Sequence, residues 1–125
     1  MTPAVGRTRW AIAEGYLPPD REDKPRPFVS HEAACLLNAG DVDAHVQLQL
    51  FFADREPAGP YRATVPARRT LHLRFNDLRD PEPVPRGTDY STLITSDVPI
   101  VVQYTRLDSR RHDLALLTTM AFACD

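Results

Sequence analysis

Residues 44–52 read Ala-His-Val-Gln-Leu-Gln-Leu-Phe-Phe, and this alternation constrains the fold more than any other feature of the chain. Val46, Leu48, Leu50 and Phe52 fall on one side of an extended segment, with His45, Gln47, Gln49 and Phe51 on the other. A period of two predicts a half-buried antiparallel strand, one face on a core and the other largely in water. The twelve prolines are spread along the whole chain and leave little room for long helices.

The remaining segments repeat the pattern. Residues 9–14 place Trp10, Ile12 and Glu14 on one face, and Gly15 ends that strand. Residues 16–28 hold four prolines among charges, so they are expected to form a loop, mobile or functional by its length. Residues 30–38 resume a strand, with His31, Ala33, Cys35 and Leu37 facing away from Glu32, Ala34, Leu36 and Asn38. After a turn at 39–43 and the strand at 44–52, short strands are expected at 61–65 and 69–75, followed by a long loop over 76–89.

Two further strands, 90–96 and 100–106, are expected to be joined by a turn at 97–99. In the second, Ile100, Val102, Tyr104 and Arg106 share a face, so Arg106 leaves the core at the strand's end with Asp108 just beyond. Residues 115–123 fit a strand or a short helix on periodicity, and their threonines favour the strand. About eight strands and no convincing helix predict an all-β fold, an antiparallel jelly-roll-like β-sandwich in a single domain spanning residues 1–125.

Apolar residues on both faces, as at Phe51 with Phe52 or Leu116 with Leu117, require a cover. Oligomerisation would supply it, and so would loops laid over a central strand.

A net charge of −2 argues against a general nucleic-acid binder, whose affinity rests on neutralising phosphates. Two distant cysteines, Cys35 and Cys124, make neither a disulfide framework nor a zinc set, and a reduced intracellular protein is the simpler expectation. No apolar leader and no run of 18 or more apolar residues is present, so the chain is expected to be soluble and unexported.

There is no glycine-rich phosphate loop and no Gly-x-Ser-x-Gly elbow, and the four histidines stand singly, without metal-site spacing. No metal and no cofactor is expected. Glu14 and Glu32 fall at strand ends where they could meet as a carboxylate pair, which leaves a carbohydrate-active enzyme as one alternative. A rim of Glu14, His31, Glu32, Asn76 and Arg106 with Trp10 nearby would also suit sugar binding, although Trp10 fits core packing better than ligand stacking.

Ordered blocks along almost the whole chain resemble the sensory rhodopsin transducer family. They include residues 6–19, Ser30-His-Glu32, Leu37-Asn-Ala-Gly-Asp41, Thr64-Val-Pro-Ala-Arg-Arg-Thr70, Arg74-Phe-Asn-Asp-Leu78 and Pro99-Ile-Val-Val-Gln103 with Thr105-Arg-Leu-Asp-Ser-Arg110. The family pattern commonly has histidine where this chain has Tyr104, and it differs at residues 111–114. The resemblance implies a small β-sandwich assembled as a homotetramer, a cytoplasmic non-enzymatic signalling protein. Its partner would be a sensory rhodopsin-like membrane receptor or a small sugar-like ligand. The matching blocks carry Trp10, Glu14, His31, Glu32, Asn76, Arg106 and Asp108, the residue types for a ligand-binding rim pocket.

Overall fold

A computed structural model describes residues 3–21 and 23–124. Eight strands are present among them: β1 (Arg7–Ile12), β2 (His31–Asn38), β3 (Ala44–Phe52), β4 (Ala58–Val65), β5 (Arg69–Arg74), β6 (Tyr90–Asp108), β7 (Ala115–Met120) and β8 (Phe122–Ala123). The only helical turns among the described residues are 3-10 segments at Arg26–Phe28 and Phe75–Asp77. No described helix is long and apolar enough to cross a membrane.

All pairings between the strands are antiparallel. The first half of β6 lies between β3 and β1, giving the order β4-β3-β6-β1-β8. Its second half lies between β2 and β7, with β5 beyond β2. The two layers thus share one long strand and close over a common interior. Ile12, Leu36, Leu48, Tyr61, Ile94 and Val102, drawn from five strands, belong to one buried cluster. Each such side chain contributes about 1.5–3 kcal/mol by leaving water.

The alternation over 44–52 is realised, with Val46, Leu48 and Leu50 buried between exposed neighbours. At Tyr90–Asp108 the structure corrects the sequence expectation: a single 19-residue strand replaces two strands and a turn. The chain need not reverse at 97–99, because Ser96 still pairs with Val46 while Ile100 pairs with Arg7 and Val101 with Leu37. Pro99 stands between these registers, where its missing N–H costs no ladder bond. Phe75, expected to end a strand, instead starts a 3-10 turn and is buried.

The proline-rich loop over 16–28 is tied down at both ends rather than left loose. Gly87 N–H donates to Leu17 O at 2.8 Å, and Ser30 N–H donates to Asp20 Oδ2 at 2.8 Å. Lys24 Nζ bridges Asp20 Oδ1 (2.8 Å) and Ser109 O (2.9 Å), fastening the loop to the end of β6. Ser109 Oγ also donates to Phe28 O. Burial works against the Asp20 charge, but hydrogen bonds from Lys24, Ser30 and the backbone outweigh it and hold the carboxyl far below its ordinary range.

Candidate functional site

β2 and β6 carry a graded series of facing side chains. Leu36 opposes Val102 in the core, Ala34 opposes Tyr104, and Glu32 opposes Arg106 at the rim. The inward face therefore turns from apolar to ionic within four residues. All of these positions were legible as shared strand faces, and their junction is where a polar group can be held by rigid elements.

Glu32 is fully buried and accepts at both oxygens. Tyr16 N–H donates to Oε1 and Oε2 at 3.1 and 3.0 Å, Tyr90 Oη donates to Oε1 at 2.5 Å, and Arg106 Nε donates to Oε2 at 2.7 Å. Its backbone N–H donates to Asn76 Oδ1 at 3.3 Å. Arg106 then reaches outward, Nη2 donating to Glu14 Oε2 at 2.7 Å. Glu14 is 62% exposed at the side chain, so one guanidinium joins a buried carboxylate to one in water.

Burial, and then the Glu32 charge, push the phenols of Tyr90 and Tyr104 above their ordinary range, so both stay neutral. The Tyr104 hydroxyl is shut off from solvent and has no hydrogen-bond partner among the described residues. For Arg106, burial disfavours the charge, but the bonds to Glu14 and Glu32 more than offset it.

Glu14 opens onto a cleft of about 410 Å³ shared with Phe51, Asp89, Tyr90 and Ser91. Phe51 is 40% exposed there. An aromatic face beside carboxylates suits a hydroxyl-bearing ring, which needs an apolar platform and hydrogen-bond partners.

Of the residues singled out from sequence, Glu14, Glu32 and Arg106 meet, and Asn76 supports Glu32 through the backbone. Asp108 lies two residues beyond Arg106 and binds Arg110 (3.0 and 2.8 Å), facing a different cleft with Arg111 and Asp113. His31 is on the opposite face of β2, its Nδ1 2.7 Å from Val29 O. Trp10 is buried in the core, its indole N–H donating to Arg7 O at 3.0 Å, and so offers no stacking face at the rim. Tyr16, Tyr90, Phe51 and Asp89 were missed. For Tyr90 a signal existed, since a tyrosine opening an apolar strand needs a partner for its hydroxyl.

Among the described residues no group of three or more His, Cys, Asp or Glu side chains is placed to hold a metal ion, and Cys35 and Cys124 are free thiols.

No curated protein matches the chain. A solved structure, the Anabaena sensory rhodopsin transducer, shares 56% identity over 83% of this chain and all of its own, with a TM-score of 0.72. Another, Thermotoga maritima 1070, shares 31% identity over 95% of this chain and 96% of its own, with a TM-score of 0.84. The model of the Anabaena sensory rhodopsin transducer family matches residues 5–123, and the chain belongs to that family.

Proposed function

We propose that the protein is a soluble, cytoplasmic, non-enzymatic signalling protein that binds a small sugar-like ligand at the Glu14 cleft and works as a homotetramer. The observation that carries this reading is the guanidinium of Arg106, bonded at once to buried Glu32 and exposed Glu14. A ligand hydroxyl that bonds to Glu14 competes with Arg106, so occupancy at the rim is felt at Glu32, Tyr90 and the ends of β2 and β6. Signalling then follows from differential binding to two arrangements of this network.

A catalytic pair is less well supported. Glycoside hydrolysis needs a carboxyl that protonates the leaving oxygen. Glu32 has no exposure, and every bond its oxygens make comes from a donor.

The test is a thermal-shift and calorimetric screen of monosaccharides beside a glycoside hydrolysis assay. Saturable stabilisation without turnover, weakened by Glu14→Gln, supports the reading; turnover abolished by Glu32→Gln replaces it with an enzyme. A second reading, contact with a membrane photoreceptor, is favoured by the name of the Anabaena relative. Co-purification with a sensory rhodopsin in nanodiscs, lost on illumination or competed by ligand, would select it.

A further inference from the structure

A second concavity, of about 230 Å³, is lined by Lys24, Arg26, Arg74, Asn76, Asp77 and Arg79. Five cations, these four with Arg86, meet one carboxylate there, in a chain of net charge −2. Two of them are neutralised: Lys24 by Asp20 at 2.8 Å, and Arg26 by Asp77 through two bonds of 3.2 and 2.5 Å.

Arg74 and Arg79 are not. Among the described residues neither makes an ion pair, and each spends its donors on carbonyls. Arg74 Nη2 donates to Arg26 O at 3.2 Å, and Arg79 Nη1 to Asn76 O and Leu78 O at 2.6 and 3.0 Å. The Nε–H of Arg74 is closed off from solvent with no acceptor. Burial, and then the neighbouring Arg26 charge, push the Arg74 guanidinium below its ordinary value and Asp77 offsets only part of this, so positive charge in the cleft exceeds the one carboxylate that lines it.

We propose that this cleft binds the phosphate group of a small phosphate ester, held by the guanidinium groups of Arg74 and Arg79. Planar forks match a phosphate's oxygens two at a time, and two cations that make no ion pair match its double charge. The volume admits a phosphate with a body of about one sugar ring, whereas a nucleic-acid strand would have to stay outside. The site is distinct from the Glu14 cleft, and either reading can fail without the other.

His31 supplies a built-in reporter. Its ring bonds to Val29 O and is faced by Arg74, Arg26 and Asp77; burial first, and then the two arginine charges, hold its pKa below the ordinary value. Phosphate on Arg74 would cancel part of that repulsion and raise it.

The experiment titrates the full chain with inorganic phosphate, glucose 6-phosphate, glucose and a short DNA duplex at matched ionic strength. Calorimetry gives affinity, and NMR follows His31. Expected are saturable binding of glucose 6-phosphate at about 1 mM or tighter, an upward His31 shift with both phosphates, and none with glucose. Arg79→Gln, at an exposed position, should weaken binding about tenfold, while Arg62→Gln leaves it unchanged. The His31 measurement uses the unaltered chain, so it stands even if Arg74→Gln fails to fold. An unmoved His31, equal loss in the Arg62 and Arg79 variants, or tighter binding of the duplex than of the ester would each overturn the proposal.

Discussion

Arg106 sits directly opposite Glu32 in the register of β2 and β6, with Nε 2.7 Å from Oε2. Because Glu32 has no exposure, it relies on its donors for the solvation that water would give. Arg106→Met leaves that anion buried without a cation and should cost about 3–5 kcal/mol. Glu32→Gln leaves Arg106 with Glu14 as partner and should cost about 1–3 kcal/mol, while Glu14→Gln at the exposed end costs under about 1 kcal/mol. Urea unfolding ranks the three. A methionine variant no weaker than the Glu14 variant would show that the pair does not hold the rim together.

The same burial fixes how stability responds to alkali. In the folded chain the Tyr90 and Tyr104 phenols are raised above 10.0 by burial and then by Glu32. As pH climbs past the ordinary value, the unfolded chain gives up these protons first. Stability is therefore intact below about pH 10 and is lost above it. Tyr90→Phe should remove much of that slope in urea midpoints measured at about pH 8 and about pH 11. At the acid end the sign reverses. Asp20 is depressed below 3.8, so the unfolded chain takes up the proton first as pH falls, and stability is kept above that value and lost beneath it. Asp20→Asn should flatten the acid limb and loosen the loop that Asp20 fastens to Ser109.

Where a single strand decides the outcome, the sequence was a sufficient guide. Alternation over Ala44–Phe52 marked the buried side, and the shared face of Ile100, Val102 and Tyr104 led to Arg106. It could not reveal that residues 97–99 pass from one layer to the other, because β-branched runs flanking a proline read as two strands whether the chain turns or changes partners. Glu14 and Glu32 were recognisable as strand-end carboxylates, but the arginine between them depends on a contact 74 residues long in sequence. The basic cleft was less accessible still. Arg26 and Arg74 sit on segments whose closeness exists only once β5 is laid beside β2.

Gly15 tests how tightly the rim is set. Its carbonyl accepts from Tyr90 N–H at 2.9 Å, and a Cβ there would lie 2.6 Å from both Tyr90 O and the ring carbon Cε2. Gly15→Ala must therefore push Tyr90 aside and lengthen its bond to Glu32. The expected result is a loss of about 1–3 kcal/mol, with ligand binding at the Glu14 cleft weakened together with stability. An alanine variant equal to the parent in both would mean that the rim yields easily.

Strand β7 is where self-association should be sought. It pairs with β6 along one edge, and among the described residues no strand pairs with the other. All six of its residues are exposed, and Leu116 and Phe122 just beyond it are 71% and 72% exposed. An uncovered apolar edge strand is a template for pairing with another chain, and a cluster of exposed large side chains on a soluble protein marks a contact surface. The expected outcome by light scattering at micromolar concentration is a tetramer. Leu116→Asp should shift it toward smaller species, because an aspartate at this edge sets like charges against each other and would be desolvated on assembly. Far-ultraviolet circular dichroism should not change, since Leu116 contributes little to the core. A parent chain that is monomeric at that concentration would refute the assembly, and a tetramer indifferent to Leu116→Asp would move the interface off β7.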